Sequence, residues 1–324
     1  MSVKDWIDVH AHFTPPMTPE QSDARWAAMV EASWTGPKPP DWSLDHTLAY
    51  MDRVGIAMQM LSNIPTSLEA LQVSNDFGAS LVRSHPSRLG LLAALPTDSP
   101  EAALGEISRA SDQLAVDGFA VTFCYRGVHL SDSSLEPVWA ELNRRKAVVF
   151  AHPNAYGPGS FGRPSAVLEV AFETTRTAVD MLYSGLFRRY PDFKLVLAHC
   201  GAALPALSGR LLLLGTQPWV PNPQGLSRDE MRHQLKALYL DTAMTGSSHT
   251  IAPALAMTTC DHIVYGSDCG VPCTTDETAL ANIEALFHFS GLERDQVEQI
   301  GRNALTLFPE AAKRIKKSTV MIDE

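Results

Sequence analysis

Short apolar runs alternate with longer amphipathic stretches along almost the whole chain. The runs predict strands at 7–12, 56–62, 89–95, 118–123, 147–152, 194–199, 237–241 and 262–266. Helical patterns occupy 43–54, 68–84, 100–114, 134–145, 168–189, 203–214 and 247–260, and two more, 275–289 and 294–307, follow the last strand. Local signals mark the boundaries. Gly55 ends a helix just before a strand, Ser99-Pro100 caps and opens another, and Asp276 and Glu277 sit in a first turn where the helix dipole favours them. Eight strands, each followed by a helix, read as an α/β fold, a distorted (β/α)8 TIM barrel. A doubly wound open sheet is the rival. Its glycine-rich first turn is missing, because the first strand ends in His10-Ala11-His12-Phe13.

Three segments, 14–42, 153–167 and 216–231, are too long for plain barrel turns and read as insertions on the face where the strands end. Their aromatic residues, Trp26, Trp34, Tyr156, Phe161 and Trp219, either roof a pocket or anchor the loops. The length of 324 residues and an apolar content of 45 % allow one large core, and we read residues 1–324 as a single barrel domain. The 26 basic residues against 36 acidic ones leave a net charge of −10, which argues against a nucleic-acid partner. No apolar run approaches the ~20 residues of a membrane span. The first residues lack the apolar stretch of a signal peptide, and five cysteines are too few and too odd for a disulfide framework. The expectation is a cytoplasmic protein.

Candidate chemistry gathers at predicted strand ends. His10 and His12 are two apart on the first strand and share a face, a spacing that suits a divalent metal. The fifth strand ends in His152, the sixth in His199 and the eighth runs into Asp268. Each alone is explained equally well by a hydrogen-bonded core residue. Together they fall at the end of a barrel where active sites form, and several buried polar groups in one mouth need a compensating cation. The fourth strand leads into Cys124-Tyr125-Arg126, with no lysine to be carbamylated and bridge two metals. Cys200 neighbours His199, but adjacent strand residues face opposite ways, which argues against a thiol nucleophile. Asp241, at the end of the seventh strand, is a candidate to line the mouth.

The motifs Asp8-Val9-His10-Ala11-His12, Ala151-His152-Pro153, Leu197-Ala198-His199-Cys200-Gly201 and Gly266-Ser267-Asp268 resemble those of the amidohydrolase superfamily. The likeness is strongest to its branch of aminocarboxymuconate-semialdehyde, gamma-resorcylate and 6-methylsalicylate decarboxylases. The resemblance implies one divalent ion, zinc first and manganese as the alternative, held by His10, His12, His152 and Asp268, with His199 beside it as a proton-handling group. It implies a homodimer, no membrane contact, and a small carboxylic acid as substrate. The aminocarboxymuconate enzyme carries an arginine in the helix that here reads Asp45-His46-Thr47-Leu48-Ala49-Tyr50, so an aromatic acid of the 2-hydroxybenzoate type is the better expectation. Arg210, retained from the pattern, joins Phe13, Trp219 and His249 as candidate substrate contacts. The implied reaction is non-oxidative decarboxylation, with Asp268 as proton donor to the carboxyl-bearing carbon. Hydrolysis of a lactone, ester or amide by the same mononuclear site is the alternative.

Overall fold

The computed structural model describes residues 3–243 and 247–322. Its strands are β1 (Ile7–His12), β2 (Met58–Ser62), β3 (Leu89–Ala94), β4 (Gly118–Thr122), β5 (Cys124–Tyr125), β6 (Val128–His129), β7 (Val148–His152), β8 (Lys194–Leu197) and β9 (Tyr239–Leu240). Seven of them form a parallel sheet in the order β1-β2-β3-β4-β7-β8-β9, while β5 and β6 make a small antiparallel hairpin above β4. The sheet curls into a distorted barrel with helices outside.

Both faces of the wall are apolar, which is why the strands read as continuous hydrophobic runs. Ile7, Met58, Met60, Leu92, Ala120, Val148, Phe150, Val196 and Val264 meet in one cluster inside the barrel, with Phe308 among them. Their sequence neighbours Leu61, Leu91, Phe119, Val149, Ala151, Leu195 and Leu197 belong to a second cluster beneath the surrounding helices. Strand β1 departs from simple alternation. Its register against β2 slips between Asp8, opposite Gln59, and Ala11, opposite Leu61. That bulge changes parity, so that Ile7 packs in the interior cluster and His12, opposite Ser62, still turns toward the interior.

The eighth predicted strand needs correcting. Residues Cys260–His262 form a 3-10 turn, and the segment after it pairs without forming a regular ladder. Barrel closure is nonetheless made there. Val264 N donates to Leu240 O at 2.9 Å, Val9 N to Tyr265 O at 2.9 Å, Asp268 N to His10 O at 2.8 Å and His12 N to Cys269 O at 2.7 Å. Side chains take the missing rungs: Gly266 N donates to Thr242 Oγ1 at 3.1 Å and Ser267 N to Asp8 Oδ1 at 2.9 Å. The sixth predicted strand also stops early, because His199–Gly201 is a turn and not strand. The pattern at 168–189 is two helices, Glu169–Tyr183 and Leu186–Arg189, parted by Gly185 at φ 75°.

Part of each of two insertions is helical. Pro19–Glu31 lies within the proline-rich 14–42 segment, where Thr18 and Gln21 form a capping box and Pro19 occupies the first turn. Arg228–Lys236 begins inside 216–231 under a Ser227–Glu230 box. The basic cluster at 313–317 belongs to a last helix, Pro309–Ile322, pinned to the barrel by Arg314, whose guanidinium reaches Asp117 at 2.9–3.0 Å.

Candidate metal centre

Three strand ends and the closing segment bring the candidate residues together. His10 and His12 come from β1, His152 from the last position of β7, His199 from the turn after β8, and Asp268 from the segment that seals the barrel. One ligand-type atom each from His10, His152, His199 and Asp268 lie within 4.8 Å of one another. His12 adds a fifth, its Nε2 standing 3.0 Å from His10 Nε2 and 3.1 Å from Asp268 Oδ1.

Backbone strain marks the same place. His199, Cys200 and Ala202 have φ of 56°, 56° and 58°, and Asp268 has φ 60°. Non-glycine residues held there cost about 1 kcal/mol or more each, a strain the surrounding fold has to sustain. The turn directs His199 toward Asp268, with Nε2 3.6 Å from Oδ2. Cys200 is buried, and burial first, with Asp241 adding to it, pushes its thiol far up, so it is inert.

Two buried carboxylates that are not metal candidates hold this arrangement. Asp241 lies at full burial beneath His10 rather than on the mouth, and accepts from His10 Nδ1 at 2.6 Å, Ala243 N at 2.9 Å and Cys200 N at 3.2 Å. A proton on Nδ1 leaves Nε2 of His10 to present its lone pair to the cluster, the usual orienting device for a ligand histidine. Asp8, equally buried, accepts from Ser267 Oγ at 2.5 Å, Gln59 Nε2 at 2.8 Å and His10 N at 3.1 Å, which fixes β1 to the closing segment. Burial, moderated by those hydrogen bonds, lifts Asp8 to about 6. Gly266 completes the support, because a Cβ there would come within 2.8 Å of His10 Cβ and 3.0 Å of Asp241 Cβ. Sequence reading did not assign these supports. Their signals were the carboxylate two before the HxH pair and the one ending the seventh strand.

The electrostatics fit a cation. Burial depresses His12 and His152, the latter further through His12, His10 and His199. Burial also opposes charge on His10, yet Asp241 and Asp268 outweigh it and raise His10 to about 10. Asp268 is held well below the usual carboxylate range, burial being overcome by His10, His12 and His199. His152 Nε2 is buried without a hydrogen-bond partner, and Asp268 Oδ1 approaches His10 Nε2 at 3.0 Å and His12 at 3.1 Å without hydrogen-bond angles. Converging lone pairs of this kind are unfavourable unless a cation lies between them, and three imidazoles with one carboxylate suit a divalent ion.

The cluster forms the floor of a cavity of about 760 Å³. Phe13, Arg25, Trp34, Tyr125, Arg126 and Tyr156 stand around it. Phe13 is buried against Trp42 and Phe77. Of the insertion aromatics, Trp34 and Tyr156 reach this cavity and Trp26 a neighbouring one, whereas Phe161 is 87 % and Trp219 70 % exposed. His249 is exposed at the start of helix Ser248–Met257, where Thr250 faces the cavity. Arg210 is exposed on helix Leu204–Leu214. Arg25 also lines this cavity, although nothing in the proline-rich 14–42 segment around it marks it as a site residue.

The amidohydrolase family model matches residues 7–309, which takes in every one of these residues. The chain belongs to the amidohydrolase family. Among relatives of this family member, the decarboxylase yanB of Aspergillus niger is 31 % identical, over 94 % of this chain and 88 % of that protein. The 6-methylsalicylic acid decarboxylase acuB of Aspergillus aculeatus is 30 % identical, over 94 % and 96 %. A solved dihydroxybenzoic acid decarboxylase from a Polaromonas species, with bound manganese and the inhibitor 2-nitroresorcinol, superposes with a TM-score of 0.74 at 23 % identity, over 94 % of this chain and 97 % of that one. That likeness carries the barrel fold.

Proposed function

We propose that this amidohydrolase-family protein is a metal-dependent, non-oxidative decarboxylase of small aromatic acids, of the 2-hydroxybenzoate type. The observation that carries the reading is the convergence of His10, His12, His152 and Asp268, with His199 adjoining, in a chain whose relatives at 30 % identity and above are decarboxylases. A bound divalent cation would stabilise negative charge on the substrate's carboxylate and neighbouring hydroxyl oxygens and fix its orientation. The histidine-rich set favours zinc by ligand type, while manganese occupies the Polaromonas relative; competition between the two ions in the purified protein decides.

His10, His12 and His152 serve as ligands in this reading, and Asp268 both ligates and handles the proton. Because Asp268 is ionised in the free protein, it first takes a proton, from the substrate's hydroxyl or from His199. It then delivers that proton to the ring carbon bearing the carboxylate. The carbon–carbon bond breaks, carbon dioxide leaves, and the ring regains its aromaticity. Replacing Asp268 by Asn is expected to abolish carbon dioxide release while leaving much of the metal bound. Undiminished release by that variant, measured beside its metal content, would contradict the role. An acid formed by ring opening of a lactone, with no carbon dioxide from salicylate-type acids, would replace this reading by hydrolysis.

We further propose a homodimer in which Arg210 serves the neighbouring subunit. Leu207 and Leu213 leave helix Leu204–Leu214 with apolar surface beside Arg210, and Leu213 is 61 % exposed. A monomer by sedimentation would remove this part. No helix among the described residues is long and apolar enough to cross a membrane. The five cysteines are free, which supports a cytoplasmic setting.

A further inference from the structure

Arg25 lies on the inserted helix Pro19–Glu31, outside the barrel proper, yet it stands on the wall of the cavity above the metal centre. Its Nη2 donates to the Tyr156 hydroxyl at 3.1 Å, and its guanidinium carbon lies 5.6 Å from the centre of the Tyr156 ring. Tyr156 comes from the other insertion, 153–167, and its ring stands 6.3 Å from that of Trp34. The guanidinium thus ties the two insertions together over the site. Among the described residues no carboxylate lies within ion-pair distance of it. The other arginine on the wall, Arg126, pairs with Asp98 at 3.1 Å, and Lys38 nearby pairs with Asp23 at 2.6 Å. A guanidinium with spare donors, uncompensated in a partly enclosed cavity, is a receptor for a carboxylate.

We propose that Arg25, braced by Tyr156 on the same cavity as the metal centre, is the residue that selects aromatic acids over their decarboxylated products. The inference rests on the decarboxylase reading above and names the group that the cavity recognises. Asp268 is the one carboxylate of the cluster that lines the cavity, with Asp241 set behind His10, so a bound cation would face the cavity as a positive centre and Arg25 adds a second. A carboxylate beside an ionised ortho hydroxyl matches both. Once the carbon–carbon bond breaks and carbon dioxide departs, the ring carries at most the phenolate charge. The product leaves Arg25 without its anion and is released. Arg25 acts on binding and is not asked to move a proton.

The test is stopped-flow quenching of tryptophan fluorescence in the metal-loaded full chain, with salicylate and phenol as the probes, read before turnover. Wild type should bind salicylate more tightly than phenol. Arg25→Gln should weaken salicylate about 10- to 100-fold and leave phenol within about twofold, the range for losing a charged hydrogen bond. Arg25→Lys should fall between, Tyr156→Phe should lose less than Arg25→Gln, and metal content should match wild type in all three. Unchanged salicylate affinity in Arg25→Gln, or equal losses for salicylate and phenol, overturns the proposal. Should Arg25→Gln fail to fold, Arg25→Lys and Tyr156→Phe carry the same comparison. Wild type that prefers salicylate over phenol yet releases no carbon dioxide would refute the decarboxylase reading while leaving the selectivity of Arg25 in place.

Discussion

In the proposed metal centre, His10 is the residue on which proton and metal would compete. Without a cation, burial opposes charge on its ring, but Asp241 and Asp268 flank it at 2.6 and 3.0 Å and raise it to about 10, which favours a second proton on Nε2 where the lone pair would otherwise face the cluster. A ligand histidine must be neutral at the coordinating nitrogen, so cation uptake displaces a proton. The sign follows. Metal affinity rises with pH toward about 10, whereas the metal-free fold draws stability from charged His10 below its unfolded value near 6.5 and loses it as pH climbs through about 10. Calorimetric titration with zinc or manganese in buffers of different ionisation heat should therefore show proton release on binding. Affinity that is flat with pH, and no released proton, would mean that His10 is already neutral or is not a ligand. Asp241→Asn should lower both the pH sensitivity and the affinity, by roughly 10- to 100-fold for a lost orienting partner.

At the scale of elements, the repeated strand and helix pattern was legible because strands buried on both faces read as unbroken apolar runs, as Val148–Phe150 does between the two clusters. The clustering of His10, His152, His199 and Asp268 was legible from their shared placement at one end of the predicted barrel, although each alone reads equally well as a core residue. What escaped was set by contacts distant in sequence. The closing segment was read as a strand at 262–266, but Asp8 and Thr242 replace rungs of its ladder, and no local pattern announces that. The helix Pro19–Glu31 escaped because the prolines that flank it look like loop, and Arg25 escaped with it. A side chain also substitutes for backbone pairing at the end of β3. Asn75 accepts from Ala94 N at 2.9 Å and donates to Ala94 O at 3.1 Å and to buried Glu106 at 2.6 Å, and Arg109 pairs with Glu106 at 2.8 Å. Asn75→Ala leaves these buried groups short of partners and should cost about 3 kcal/mol of unfolding free energy. Urea denaturation is the check, with metal affinity unchanged; a loss under about 0.5 kcal/mol would show that water or neighbours replace Asn75 easily.

For the whole molecule, the barrel brings residues 10, 12, 152, 199 and 268 into one buried cluster, and the two insertions place Arg25 and Tyr156 over it. Chemistry and selectivity thus come from different layers. On the proposed reading, scaffold strands hold the cation site with buried carboxylates behind it, and the two insertions carry the group that meets the acid. The most direct measurement is carbon dioxide release from a 2-hydroxybenzoate-type acid by protein stripped of metal by exhaustive chelation, then titrated with manganese or zinc. Release should vanish on stripping and return in proportion to added ion, saturating at one equivalent per chain. Full release from protein verified as metal-free would contradict the assignment of the cluster as a catalytic metal centre.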